Sequence, residues 1–133
     1  MKILVDTSLW IHAFRYKNSF EASILETLLR ENVVVTSSLV LSELFIGSRS
    51  KQEIAFLIDE FSVVPVLTGL DGLGIEVGKL GFLLRKRGYL IPIVDLSLTM
   101  LAIKHNAHVY TLDKHFSWIS KCSPLILFEP NRH

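Results

Sequence analysis

Met1-Lys2-Ile3-Leu4-Val5-Asp6-Thr7-Ser8 is an aliphatic run that stops abruptly at a carboxylate and two hydroxyls. A run of this kind reads as a strand buried on both faces of a parallel sheet. The residue at its C-terminal end then stands at the rim of the sheet, where open α/β folds bind ligands. Asp6 is therefore a charge set where the core meets a crevice.

Outward from this strand, helical and extended patterns alternate. Phe20, Ile24 and Leu28, with Leu25 and Leu29 beside them, form an apolar stripe at helical spacing. Asn18 is the expected cap, with Glu21 three residues on, and Asn32 the left-handed stop. Val33-Val34-Val35-Thr36 reads as the second strand. Ser37 or Ser38 caps the helix through Ile46 that Gly47 closes. Ser50-Lys51-Gln52-Glu53 is a full capping box, with Ile54, Leu57, Ile58 and Phe61 turned inward. Val63-Val64-Pro65-Val66-Leu67 reads as a third strand, at an edge because Pro65 has no N–H to give a ladder.

Thr68 to Gly88 is the longest periodic segment, with Leu73, Val77, Leu80 and Leu84 on one face. Interior glycines there cost about 1 kcal/mol each against alanine, unless they permit close packing. Arg85-Lys86-Arg87-Gly88 suits a helix C-terminus. Pro92-Ile93-Val94-Asp95 opens a further helix to His105, stopped by Asn106. Val109-Tyr110-Thr111-Leu112 is a strand ending in Asp113. A short helix carries Phe116, Trp118 and Ile119, and Leu125-Ile126-Leu127-Phe128 is a last strand. The alternation predicts one α/β domain over residues 1–133, three-layer α/β/α, around a parallel sheet of four to five strands.

Half of the 133 residues are apolar, which excludes disorder and allows a sizeable core. Fourteen basic and thirteen acidic side chains leave a net charge of +1, so any nucleic-acid-binding patch must be local. Cys122 is the single cysteine, which forbids an intrachain disulfide and points to a free buried thiol in a reducing compartment. No apolar run approaches the roughly 18 residues of a membrane span. The lysine and short apolar run before Asp6 do not resemble a signal peptide. A cytoplasmic protein without membrane association is the expectation.

The acids divide into two groups. Glu21, Glu26, Glu31, Glu53, Asp59 and Glu60 fall on polar helix faces, where solvation accounts for them. Asp6 and Asp113 instead end apolar strands, Glu43 lies among Leu41, Leu44 and Phe45, and Asp95 opens an apolar helix. All four map to strand ends or to the helix starts that follow, hence to one rim. Asp6, Asp95 and Asp113 could each be a helix cap taken singly. Their joint placement favours a shared site. Several carboxylates in one crevice must raise one another's pKa values or hold a cation. With oxygen ligands and no His or Cys partner, that cation would be Mg²⁺ or Mn²⁺ and not Zn²⁺.

Val5-Asp6-Thr7-Ser8, Ser42-Glu43-Leu44 with Gly47, Pro92-Ile93-Val94-Asp95 and Thr111-Leu112-Asp113-Lys114-His115-Phe116 together resemble the PIN-domain family. The resemblance is to its small VapC-like toxin ribonucleases of toxin–antitoxin pairs, and it spans essentially the whole chain. It implies a metal-dependent endoribonuclease with Asp6, Glu43, Asp95 and Asp113 as an acidic quartet around Mg²⁺ (or Mn²⁺). Thr7 and Thr111 are implied as supporting hydroxyls. It further implies an RNA substrate, a cognate antitoxin that blocks the site, and a homodimer. Two features depart from the pattern. Leu98, Thr99 and Met100 are larger than is usual in the helix after Asp95, and His115 stands where a second aspartate is common.

RNA binding needs cations near the acids, and Arg15, Lys17, Arg49, Lys51 and Lys114 are candidates. Arg85, Lys86 and Arg87 read as dipole-completing residues, His115 as a helix-start histidine, and Trp10 and Trp118 as core or dimer packing. The helical hairpin from Leu39 to Phe61 is either plain core or a groove for a partner helix. Two other functions compete. Gly72, Gly74 and Gly78, with Asp95 about twenty residues on, make a weak dinucleotide-binding fingerprint. A non-catalytic interaction module would use all the acids as caps.

Overall fold

The computed structural model describes residues 1–131. Its centre is β1 (Lys2–Val5), in which Ile3, Leu4 and Val5 are fully buried, as a two-faced strand requires. β1 pairs in parallel with β2 (Val34–Val35) on one side and β3 (Ala107–Tyr110) on the other, so the strand order is β2-β1-β3. Ile3 lies opposite Val34 and His108, and Val5 opposite Tyr110.

Four to five strands were expected, and the named strands number three. Val63–Leu67 and Leu125–Phe128 each contribute one bridge, Thr36 to Val66 and Val109 to Leu127. Each bridge carries the paired bonds of a parallel ladder for one residue only. Thr36 N–H donates to the Pro65 carbonyl at 2.9 Å and Leu67 N–H to the Thr36 carbonyl at 2.8 Å. Val109 N–H donates to Ile126 at 3.0 Å and Phe128 N–H to Val109 at 2.8 Å. Pro65 sits at the outer edge as its missing donor demands.

The helices are α1 (Thr7–Arg15), α2 (Phe20–Arg30), α3 (Ser38–Ile46), α4 (Lys51–Phe61), α5 (Gly74–Lys86), α6 (Ile93–Lys104) and α7 (His115–Ser120). Because the chain leaves β1 for β2 on one side and later enters β3 on the other, right-handed crossovers put helices on both faces. The same reversal makes the C-terminal ends of β1 and β3 the switch point of the sheet, the place at which open α/β sheets bind ligands. Among the described residues no helix is long and apolar enough to cross a membrane.

Local signals formed most of these boundaries. Ser37 caps α3, and Ser50 caps α4 through a 3.1 Å bond from Glu53 N–H. Asn32 and Asn106 adopt positive φ after α2 and α6. The cap of α2 is Ser19 and not Asn18, since the Ser19 hydroxyl accepts from Ala22 N–H at 3.1 Å. The long segment after Thr68 is divided: Gly69 turns at φ +96, a 3₁₀ turn covers Leu70–Leu73, and α5 begins only at Gly74. Of the glycines in α5, Gly81 is the one that permits close packing, a Cβ there meeting Leu96 Cδ1 at 2.9 Å.

Val77, Leu80 and Leu84 bury one side of α5, while Trp10 is fully buried against Phe61, ring centres 4.6 Å apart. Trp10 is thus core. Trp118 is half-buried and stacked on Tyr89 at 5.0 Å. In α4 only Leu57 turns fully inward; Ile54 and Ile58, expected inside, are exposed. Glu21, expected on a solvated face, is buried at 7% exposure with the His12 imidazole 3.0 Å away. A buried carboxylate needs such a partner, and helical periodicity carried no sign that α1 would supply it. Cys122 is half-buried, and its Sγ accepts from Arg87 at 3.1 Å.

Candidate metal centre

Asp6 is the first residue beyond β1, and its N–H donates to the Tyr110 carbonyl at 2.9 Å, extending the ladder one step. That bond sets Asp6 beside Thr111, which follows β3. The Thr111 hydroxyl donates to Asp6 Oδ2 at 2.8 Å and accepts from Asp113 N–H at 2.9 Å. Ser8 Oγ donates to the same Oδ2 at 2.7 Å and accepts from Leu112 N–H at 3.1 Å. One carboxylate oxygen of Asp6 is therefore held by side-chain hydroxyls from both strand ends. Asp6 also caps α1 through Ser8 N–H, so the cap reading is correct for it and accounts for part of what it does.

Asp95 is not a cap. The N-cap of α6 is Pro92, which offers no side-chain acceptor, and Asp95 lies in the first turn beyond it. Its side chain is 13% exposed and turns toward the rim, with Oδ2 2.9 Å from His115 Nδ1. Asp113 Oδ1 is 3.2 Å from the same nitrogen and accepts from His115 N–H at 2.9 Å. Both carboxylate oxygens can only accept, so Nδ1 carries the ring proton. Asp95, Asp113 and His115 each offer one donor atom, all within 4.8 Å of one another.

Electrostatics mark this as a site in want of positive charge. The Asp95 carboxyl is raised above its ordinary value, first by burial and then by the charges of Asp6 and Asp113, against the lowering hydrogen bond from His115. Three carboxylates outnumber the one imidazole among them. A divalent cation would offset two of the three charges, and the donor set fits one.

Glu43 is placed differently from expectation. The buried side of α3 is Val40 and Leu44, and Glu43 is exposed on the flank of that side. It belongs to the rim through Thr7, whose hydroxyl donates to Glu43 Oε1 at 2.7 Å. Thr7 and Thr111 thus each hold one acid. Glu43 also lines a groove between α1, α3 and α4 with Phe14, Arg15, Lys17, Arg49 and Phe56. Of the other expected cations, Lys114 follows Asp113 in the chain, with its ammonium 5.5 Å from the Trp118 ring centre.

His115 is the residue that sequence reasoning undervalued. The sequence suggests oxygen donors alone; the fold brings a nitrogen beside them, since His115 at the start of α7 reaches Asp95 at the start of α6. Its position two residues after Asp113 was the available signal. The dinucleotide fingerprint finds no support in the backbone. Gly72 lies in the 3₁₀ turn, Gly74 and Gly78 in α5, and Asp95 stands in a helix instead of ending a strand.

Known proteins with the same architecture bear on these residues. A VapBC2 structure from Rickettsia felis bound to a promoter DNA fragment matches with a TM-score of 0.78 at 27% identity, covering 96% of this chain and 98% of that one. VapBC-1 from nontypeable Haemophilus influenzae matches with a TM-score of 0.77 at 25% identity, covering 97% and 98%. FitAcB from Neisseria gonorrhoeae, at 17% identity and a TM-score of 0.68 over 96% of each chain, shares the fold. No curated protein matches the sequence significantly. The PIN domain family matches residues 3–121, nearly the full length and every acid discussed above, and the chain belongs to that family.

Proposed function

We propose that this chain is a Mg²⁺- or Mn²⁺-dependent endoribonuclease, the toxin of a toxin–antitoxin pair, working in the cytoplasm. The observation that carries the reading is the convergence of Asp6, Asp95 and Asp113 at the C-terminal ends of β1 and β3, where their charges oppose one another. Asp6, Glu43, Asp95 and Asp113 are the proposed catalytic and metal-holding quartet, with Thr7 and Thr111 as their hydroxyl supports. When bound, a divalent cation supplies charge to offset the phosphodiester transition state and acidifies an attacking water.

The chain's own residues have definable tasks. Thr111 and Ser8 fix Asp6 Oδ2, and Oδ1 would be the oxygen that Asp6 offers a cation. Asp95, partly desolvated, presents a carboxylate whose charge gains most from a cation. Glu43, exposed and held by Thr7, stands where it can orient or accept a proton from water. Lys114, Arg15, Lys17 and Arg49 flank the acids and suit phosphate contacts on either side of the scissile bond.

The groove lined by Phe14, Phe56, Arg15 and Arg49 suits a segment of a cognate antitoxin, apolar with an acidic or polar edge. The neighbouring VapBC and FitAcB structures are named as two-component complexes, which supports that reading. Exposed Ile75 and Phe82 on α5, Leu90 in the connection that follows and Ile93 at the start of α6 offer an apolar face for a homodimer.

The test is cleavage of single-stranded RNA by the purified chain. Internal cuts that require Mg²⁺ or Mn²⁺, stop with chelator and disappear in Asp6→Asn and Asp95→Asn are expected. Intact RNA in the presence of bound metal would overturn the nuclease reading and leave the interaction module.

A further inference from the structure

Resting on the reading of the acidic rim as a metal centre, we propose that His115 is itself a metal ligand. Its nitrogen would turn an oxygen site into a mixed one that favours Mn²⁺ over Mg²⁺.

The spacing suits ligation. His115 Nδ1 lies 2.9 Å from Asp95 Oδ2 and 3.2 Å from Asp113 Oδ1. Adjacent donors of an octahedral ion with bonds of about 2.1 Å sit about 3 Å apart. The imidazole nitrogen therefore already stands from each carboxylate at about the separation one ion would impose, and all three donor atoms lie within 4.8 Å of one another. The hydrogen bonds between them are what such a set makes when a proton takes the place of the cation. For ligation the ring carries its proton on Nε2 and presents the Nδ1 lone pair, a change of tautomer that alters no covalent bond of the chain.

The ring is also held in place. His115 opens α7, and its N–H is fixed by Asp113 Oδ1 at 2.9 Å. Its imidazole centre lies 5.5 Å from the Trp118 ring, which is stacked in turn on Tyr89. Only 26% of the His115 side chain is exposed, so it is not a free surface histidine. The other imidazole partnered with an acid, His12, lies with Glu21 between α1 and α2 and does not enter this set.

Donor chemistry then determines the preference. Mg²⁺ keeps to oxygen donors and water, whereas affinity for a nitrogen-containing site rises from Mn²⁺ along the first-row series. One imidazole among carboxylates separates Mn²⁺ from Mg²⁺ without excluding either.

The experiment uses the full chain, freed of metal by chelation and reloaded with one equivalent of Mn²⁺. Pulsed electron paramagnetic resonance should show modulation from a directly coordinated ¹⁴N nucleus. In His115→Asp the Mn²⁺ signal should persist without that modulation. Competition titrations should show the Mn²⁺-over-Mg²⁺ preference falling by about tenfold or more, with His115→Gln giving the same loss of modulation. Bound Mn²⁺ without nitrogen modulation in the unaltered chain, or a His115→Asp protein with an unchanged preference, would overturn the assignment while leaving the metal centre intact. Failure of the unaltered chain to bind either ion would overturn the metal centre and this assignment together.

Discussion

Replacing Thr111 with valine keeps its shape and removes one hydroxyl on which the site turns. That hydroxyl donates to Asp6 Oδ2 at 2.8 Å and accepts from Asp113 N–H at 2.9 Å. A hydrogen bond to an ionised group contributes about 1.5–3 kcal/mol and a neutral one about 0.5–1.5 kcal/mol. Asp6 Oδ2 keeps the Ser8 hydroxyl at 2.7 Å, so it is not orphaned and the lower half of each range applies. The expected loss is about 2–3 kcal/mol, or about 4 °C of Tm per kcal/mol for a chain of this length. Urea denaturation of the metal-free protein, followed by circular dichroism, measures it directly. Thr111→Ser retains both bonds and should recover most of the loss. Thr27→Val, on the solvent side of α2, should change stability by no more than about 0.5 kcal/mol. A Thr111→Val protein within about 0.5 kcal/mol of the parent would refute the idea that this hydroxyl couples the ends of β1 and β3.

Asp95 should make metal-free stability depend on pH in an unusual direction. Its folded pKa is raised above 3.8, so its charged form opposes folding near neutrality, and that opposition fades as the pH falls through the folded value. Asp95→Asn should therefore be no less stable than the parent at pH 7 and should gain less on acidification; urea midpoints at about pH 7 and pH 5 compare them, and a strongly destabilised variant would show that the His115 bond outweighs the burial. Thr36 is fully buried, with its hydroxyl unpartnered, so Thr36→Val should raise stability by about 1–2 kcal/mol in thermal melts, and a decrease would mean that a water serves that oxygen. Gly78→Ala has open space beside it and should stabilise α5 by about 1 kcal/mol, whereas the Cβ of Gly81→Ala would meet Leu96 and should give no gain. Equal effects at the two sites in parallel melts would contradict that packing.

Much of this fold follows from short-range physics. The β1 run must be buried whichever neighbours it finds, because water cannot be offered three consecutive aliphatic side chains cheaply. Ser37, Ser50, Asn32 and Asn106 satisfy backbone groups within a few residues of themselves, so their roles are local. Pro65 marks an edge by chemistry alone. The two outer strands are shorter than their sequences suggest, because apolar composition says nothing about how long a ladder continues once its neighbour ends.

Three of the four acids were legible as a set for the same reason: Asp6, Asp95 and Asp113 each stop or start an apolar element at the rim. Glu43 is less legible, since α3 is apolar nearly all round and periodicity does not say that this acid stands exposed beside Thr7. Glu21 shows the same limit in reverse, its burial depending on His12 of another helix.

By itself, then, the order of residues determined most of the helices, the central strand and several of their caps, and which carboxylates stand near strand ends. It did not determine how far the other strands run: β3 covers Ala107–Tyr110 and not Val109–Leu112. Those outcomes depend on hydrophobic periodicity and on hydrogen bonds that close within a turn. Only the tertiary structure decided that Thr111 would hold Asp6 across 105 positions and that His115 would reach Asp95 across 20. A side chain's partner across the fold is set by the register of β1 against β3 and by how α6 meets α7, and no local pattern encodes either.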